Sequence, residues 1–292
     1  MSIEGQPLTL ALFDDIEERM HVLRNAYGEQ TPSEYAFSNL YFFRQAHNYR
    51  YVSGTLPYIS GLTYDGVRHI LPLFDPRLVS KDELSRVLDG HACLYPIPAT
   101  VLEQVGTMDW CRSDAVDDAD YIYPAGNFRH YRGKLLRKKH NLMQQLLLAH
   151  QIVSEPLSDM TREDAKSILS AWMKAKGKEP GGADERACME ALQLHQHFGM
   201  DGIVYYVEGL PVGFVIAQQF TPSLAVMRFA KGIDSHKGIY QYMFHHYCMS
   251  REHLEWINFE QDLGLANFRQ TKRSYQPSSM LRKFRVSLPL SL

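Results

Sequence analysis

Cysteine, tryptophan, net charge and long apolar runs are all scarce in this chain of 292 residues. The four cysteines, Cys93, Cys111, Cys188 and Cys248, lie far apart and form no C-x-x-C pair. That argues against a disulfide framework or a cysteine zinc site. They read as buried or half-buried free thiols of a reducing compartment. The 13 histidines include no H-E-x-x-H, and neither His195/His197 nor His245/His246 has an acidic partner at metal-ligand spacing. They read as structural, and no metal is expected. No apolar run approaches the roughly 18 residues of a membrane span, so no stable membrane insertion is expected. The N-terminal MSIEGQPLTL lacks a basic segment followed by an apolar one. No secretory signal is therefore expected, and the chain reads as cytoplasmic. A net charge of -2 argues against a globally basic nucleic-acid binder.

What is present is ordinary for a folded protein: 45% apolar and 22% charged residues, over a length that suits about two domains. The small net charge hides a polarity. Residues 1–128 carry 9 basic and 18 acidic side chains, and residues 129–292 carry 22 and 15. Asp114, Asp117, Asp118 and Asp120 are followed, across the breakers Pro124 and Gly126, by Arg129, Arg132, Lys134, Arg137, Lys138 and Lys139. A domain boundary is expected near residue 128. The basic second half suits an anionic partner.

Periodicity gives a coarse element order. Helices are expected over 8–27, 33–46 and 80–90, with Ser80 as N-cap. Strands are expected over 49–55, 58–64 and 67–73, with Asp65-Gly66 as a hairpin turn. In the second half one long helix is expected over 129–151, followed by a capping box at Thr161–Asp164 that opens another. After a mobile Gly/Pro loop, 177–183, comes a helix over 184–198. Strands at 203–207, 212–220 and 224–231 form a meander, and a helix follows over 238–249. A strand over 256–260, a helix over 265–273 and a strand over 281–288 complete the chain. Both halves read as helices, a three-strand meander and a helix. The expected class is α+β, with two copies of one unit. This is the order of the GNAT acyltransferase fold.

Four clusters could carry chemistry. In Trp256–Gly264 a strand places Asn258 and Glu260 on one face, with Asp262 just past the strand end and free of the core. Two carboxylates and an amide there suit acid/base work or amine binding. From spacing alone, a solvated turn whose acids cap the next helix stands level with that reading. In Phe268–Pro277, Arg269, Lys272 and Arg273 share a helical face and Tyr275 ends it, an arrangement suited to phosphate. In Gly133–Asn141, Lys134, Arg137, Lys138 and Asn141 share a helical face suited to RNA, a lipid headgroup or a coenzyme phosphate. In Arg228–Gly232, Arg228 and Lys231 approach the loop before the helix over 238–249. A GNAT unit docks its donor diphosphate on backbone N–H groups there. The usual acyl-CoA loop, Gln/Arg-x-x-Gly-x-Gly/Ala, is replaced by Asp234–Tyr240 with a single glycine and a bulky Tyr240.

GKLLRKKHN, RFAKG, INFEQDLG and FRQTKRSYQP occur in order across 133–277, with FSNLYFFR at 37–44. Together they resemble the C-terminal catalytic domain family of the phosphatidylglycerol lysyltransferases. The resemblance implies two tandem GNAT-like units, 1–128 and 129–292, and similarity to Fem-type aminoacyltransferases. Membrane-bound members move an aminoacyl group from aminoacyl-tRNA to a lipid headgroup. The matching positions are Lys134, Lys138, Asn141, Arg228, Lys231, Asn258, Glu260, Asp262, Arg269, Lys272 and Tyr275. Ala230 departs from the family, which often carries Glu before the lysine. The resemblance implies a transferase acting by direct attack of an amine or hydroxyl, with a small-molecule or lipid-headgroup acceptor. No cofactor is required, and an anionic donor, aminoacyl-tRNA or acyl-CoA, serves as co-substrate. Asp262 or Glu260 would bind or deprotonate the acceptor, Asn258 completing their cluster. Lys272 would stabilise the oxyanion and Tyr275 would protonate the leaving group. Lys134, Lys138, Asn141, Arg228, Lys231 and Arg269 would hold donor phosphates. The alternative is a non-catalytic GNAT-like binding module for a nucleotide, a tRNA end or another anionic ligand.

Overall fold

The computed structural model describes residues 5–105, 110–179 and 181–287. Pro180 of the Gly/Pro loop, Leu288 of the last expected strand and the first four residues of the N-terminal segment lie outside the described residues. The chain divides into two compact units, Met1–Asp120 with Leu281–Leu292, and Tyr121–Met280.

The first unit runs β1 (Gln6–Pro7), α1 (Phe13–Tyr27), α2 (Phe37–Phe43), β2 (Arg50–Val52), β3 (Tyr58–Leu62), β4 (Arg68–Pro72), α3 (Lys81–Val87), β5 (Cys93–Pro98), α4 (Ala99–Val105) and β6 (Cys111–Asp114). The second runs β7 (Asp120–Pro124), α5 (Ala125–His130), α6 (Arg137–Ala149), β8 (Ile152–Pro156), α7 (Arg162–Ala175), α8 (Ala183–Leu194), β9 (Asp201–Val207), β10 (Leu210–Gln219), β11 (Leu224–Gly232), α9 (Ile239–Met249), β12 (Trp256–Asn258), α10 (Ala266–Arg273) and β13 (Ser279–Leu281). The last strand, β14 (Lys283–Ser287), returns to the first unit.

Among the described residues each sheet has seven strands, in the orders β1-β2-β3-β4-β5-β14-β6 and β13-β7-β12-β11-β10-β9-β8. Read from its own first strand, each order is the same. An antiparallel meander leads through a helix into a parallel partner, β4 to β5 and β11 to β12. An antiparallel strand then intervenes, β14 or β7. The α+β, GNAT-like class is therefore as expected: two mixed, mostly antiparallel sheets flanked by helices.

The boundary falls between Asp120 and Tyr121 rather than at 128, and the C-terminal strand joins the first unit rather than the second. Ion pairing explains both differences. The acidic stretch before the boundary faces the cations of the C-terminal segment within one unit. Asp114 pairs with Arg282, Asp118 with Arg285 and Asp120 with Lys283. Three cations of the basic half are thus spent there.

Lys283 is 0% exposed, with Nζ 2.6 Å from Asp120 and 2.7 Å from Glu34. Ser33 donates its N–H and hydroxyl to Asp120. One ammonium cannot neutralise two buried carboxylates. Burial therefore raises Glu34, to about 7, and Asp120 adds to this while Lys283 opposes it. A carboxyl raised on folding holds its proton longer in the native state than in the unfolded one. Its contribution to stability is full below about pH 4.5 and is lost as pH rises toward 7. Urea midpoints should fall between pH 5 and 7 in the parent protein. Glu34→Gln, which keeps the neutral form, should flatten that decline; an unchanged slope would contradict the assignment.

The second half differs from its expected elements at three places. The long helix over 129–151 is broken: Tyr131 is left-handed at φ 43°, Gly133 follows at φ 90°, and the Tyr131 hydroxyl donates to the Gln241 carbonyl. Thr161 forms no capping box, because its hydroxyl accepts from the Ser158 N–H and donates to the Pro156 carbonyl. The strand expected over 256–260 stops at Asn258, since Glu260 is left-handed at φ 56°.

Candidate functional site

In the second sheet β11 and β12 pair in parallel at Leu224–Trp256, Ala225–Ile257 and Val226–Asn258, and then part. From Met227 to Gly232, β11 runs on beyond that pairing. On its other side the register with β10 slips, Phe229 facing Ile216 and Met227 facing Ala217. Arg228 is the extra residue of this bulge, a device that re-aims a side chain. The splay gathers the motif residues.

Arg228 is buried; one guanidinium nitrogen donates to Glu260 and another to Gln218 Oε1 at 3.1 Å. Its Nε–H is buried with no hydrogen-bond partner among the described residues. Asn258 is fully buried and its Oδ1 accepts the Glu260 N–H at 2.6 Å, which holds the left-handed turn. Of the three motif residues Glu260 alone reaches solvent, its side chain 21% exposed. Asn258 and Glu260 are therefore not neighbours on a strand face, as alternation implied; one braces the turn that presents the other.

Asp262 is 0% exposed, which corrects the expectation of a carboxylate free of the core. Its oxygens accept from the Tyr121 hydroxyl at 2.6 Å, the Gly264 N–H at 2.9 Å, and Arg269 Nε and Nη2 at 2.9 and 3.1 Å. Burial alone would raise this carboxyl, but the bonds from Arg269, Tyr121 and Gly264 outweigh it and hold the pKa at about 2. A carboxylate that acidic and that saturated is a poor proton acceptor. Arg269 is correspondingly spent on Asp262.

Lys272 directs its ammonium at three successive carbonyls, Phe259 at 2.6 Å, Glu260 at 3.2 Å and Gln261 at 2.5 Å. It pins the turn, which replaces the expected oxyanion role with a positioning one. Tyr275 lies in an aromatic core with Phe128, Tyr131, Phe244 and Phe259. Burial raises its phenol, and its oxygen accepts from Gln241 Nε2 at 2.7 Å. That does not suit an acid for a leaving group.

Lys231 is buried at the end of β11, 2.7 Å from Asp184 and 3.8 Å above the Trp172 ring. Arg228, Lys231 and Arg269 thus each hold an internal carboxylate. Lys134, in the turn before α6, and Lys138 and Asn141, on α6, are exposed. Because Lys134 is not helical, the expected face of Lys134, Arg137 and Lys138 does not form.

The loop before α9 is closed. Gly238, at φ 99°, sits where a Cβ would lie 2.2 Å from the Leu142 carbonyl, so α6 packs directly on the start of α9. Tyr240 turns its hydroxyl back onto Gly232, accepting its N–H at 3.0 Å. Gly213 and Gly232, paired across β10 and β11, let Ile239 and Met243 approach the sheet closely.

Tyr121, Asp184, Gln218 and Gln241 hold the motif residues without belonging to any of the four sequence clusters. Gln218, polar within an apolar strand, was a usable signal; Tyr121 and Asp184 lie about 140 and 50 residues from the groups they hold, and no local pattern links them.

A family model, phosphatidylglycerol lysyltransferase, C-terminal, matches residues 25–287. The chain belongs to this family. Among solved structures it is similar to a conserved protein of unknown function from Bacteroides thetaiotaomicron, with 20% identity, 98% of this chain and 100% of that one covered, and a TM-score of 0.82. It is similar to L-PGS from Bacillus licheniformis, with 14% identity, 100% and 95% covered, and a TM-score of 0.63. It also resembles FemX, with 8% identity, 98% and 96% covered, and a TM-score of 0.57. A search of curated proteins gives no match. At these identities the structural likenesses show a shared fold. Among the described residues no helix is long and apolar enough to cross a membrane.

Proposed function

We propose that this family member is an aminoacyltransferase whose donor is an aminoacyl-tRNA ester and whose working site is the splay of the second sheet. The observation that carries the choice of donor is the packing of Leu142 on Gly238, with the Tyr240 hydroxyl on Gly232. An acyl-CoA donor needs the N–H groups at the start of α9 for its diphosphate; there Leu142 of α6 packs against Gly238, and the Ile239 N–H already donates to the His236 carbonyl. A tRNA ester makes no such demand. The family name, with its lysyl transfer, points the same way. We place the protein in the cytoplasm, where charged tRNA is found.

The chemistry is a direct displacement. The acceptor's amine or hydroxyl attacks the ester carbonyl carbon, and a tetrahedral oxyanion forms. The carbon–oxygen bond to the ribose then breaks, and the ribose hydroxyl takes the acceptor's proton. Glu260, presented at the splay, contacts the acceptor and receives its proton in passing. Arg228, paired with Glu260, holds that carboxylate at the splay. Asn258, Asp262, Arg269 and Lys272 are positioning residues that fix the turn 259–264. Because those four are saturated by internal partners, a second reading, a binding module without turnover, also has an observation in its favour.

Ligands that bind the native state raise its melting temperature. Aminoacyl-tRNA at micromolar concentration should raise it, whereas acetyl-CoA at about 1 mM should not. Stabilisation by acetyl-CoA, with transfer of its acyl group, would overturn the reading.

A further inference from the structure

In the second unit the described cations that are buried or half-buried have oxygen partners, with one exception. Arg162, Lys166, Arg228, Lys231, Arg251 and Arg269 hold carboxylates. Arg129 and Lys272 hold backbone carbonyls. The exception is Lys139. It opens the inward stripe of α6, where Met143 and Leu146 follow at helical spacing and are buried. Its neighbours Arg137 and Lys138 point to solvent, whereas Lys139 is half-buried. Its Nζ lies 3.9 Å above the centroid of the Tyr275 ring. No carboxylate or carbonyl among the described residues receives it. An inward position normally carries an apolar residue, and an ammonium drawn partly out of water needs an anion or strong acceptors. A ring face alone supplies a modest part of that.

The same ring carries a second donor. The Tyr275 oxygen accepts from Gln241, so its own proton is directed elsewhere, and no acceptor among the described residues takes it. Burial, and then the nearby Lys138, lower the pKa of Lys139, which an arriving anion would reverse.

We propose that Lys139 is a donor-binding residue that holds an anionic phosphate oxygen near the 3′ end of the nucleic acid carrying the aminoacyl group. This rests on the tRNA reading above and assigns to Lys139 the donor-phosphate role that the family resemblance implied for Arg228, Lys231 and Arg269. Exposed Lys134, Arg137 and Lys138, which have no carboxylate partner among the described residues, extend the same positive field outward.

The test uses the full chain and three probes: a fluorescein-labelled single-stranded RNA ending in CCA, inorganic pyrophosphate, and vesicles of phosphatidylglycerol in phosphatidylcholine. Lys139→Met keeps the stem that packs on Tyr275 and removes the charge. It should weaken RNA binding about tenfold, as for loss of a charge-assisted contact, with an unchanged melting temperature. It should also reduce the slope of log affinity against log salt by about 0.7, the value for one phosphate on a single strand. Lys139→Arg should restore both. A structural role would not move the salt slope, so equal slopes in Lys139→Met and parent overturn the proposal. A parallel readout is the NMR titration of Lys139 in the dimethylated parent protein, which should shift upward with pyrophosphate. If pyrophosphate raises it but RNA does not bind, the anion site stands and the tRNA reading falls. If RNA binds and the Lys139 titration does not move, the tRNA reading stands and this site falls. Binding of vesicles through Lys139 without RNA binding overturns the nucleic-acid assignment.

Discussion

Replacing Lys283 with methionine should destabilise the first unit by about 3–5 kcal/mol near neutral pH, among the larger effects of a single substitution. The side chain is fully buried between Asp120 and Glu34. Methionine fills most of the stem's volume, so the loss is not a cavity effect. It comes from leaving two carboxylates in the interior without a cation. The deficit should shrink toward pH 5, where Glu34 holds its proton. Adding Glu34→Gln to Lys283→Met should recover part of it, because the two sites are in contact and will not be additive. Chemical unfolding of Lys283→Met, Glu34→Gln and the double variant at two pH values measures this. A parent-like Lys283→Met at pH 7.5 would mean that the cluster is not charged as described.

Glu260→Gln and Asp262→Asn should separate function from stability. Glu260 is partly exposed at the splay; losing its charge should reduce turnover per folded molecule about 10²–10⁴-fold, the range for a general base. It also leaves the buried Arg228 guanidinium without its carboxylate, so melting should fall as well, but by less than the rate loss would require if unfolding caused it. Asp262→Asn should lose stability and keep its turnover per folded molecule. It removes the charge paired with Arg269 and weakens the bonds from Tyr121 and Gly264. The cost should be about 2–4 kcal/mol of stability, and activity should follow the folded fraction. The pH dependence carries the same sign. Because folding depresses this carboxyl from its ordinary value to about 2, its roughly 2 kcal/mol contribution is present above about pH 4. It is lost as pH falls through 2. Full stability of Asp262→Asn with abolished turnover would return Asp262 to the reacting centre.

The motif segments were legible in the sequence because they are local: Asn258, Glu260 and Asp262 fall within five residues and do meet at one turn. Their roles were not legible, because roles depend on partners distant in sequence. Spacing cannot show that Tyr121 reaches Asp262, or that Asp184 neutralises Lys231. The meander and its helix were legible from periodicity. The placement of β7 and β14 was not, since each enters the sheet at a position set by long-range pairing. The charge switch near residue 128 was real, yet part of it serves ion pairs of one unit, Asp114, Asp118 and Asp120 with Arg282, Arg285 and Lys283. The break in the helix over 129–151 lies at Tyr131, whose hydroxyl is tied to Gln241, and at Gly133; the glycine was a breaker signal in the sequence, the tyrosine was not.

The most direct test is a single-turnover assay with tRNA charged with a radiolabelled amino acid, run with the parent protein and with Glu260→Gln against a panel of amine and hydroxyl acceptors. The parent should move label from tRNA to an acceptor without a covalent enzyme intermediate, Glu260→Gln should stay folded and transfer at least about a hundredfold more slowly, and acetyl-CoA should not substitute. Label that stays on tRNA with every acceptor, while acetyl-CoA supports acyl transfer, would contradict the tRNA reading.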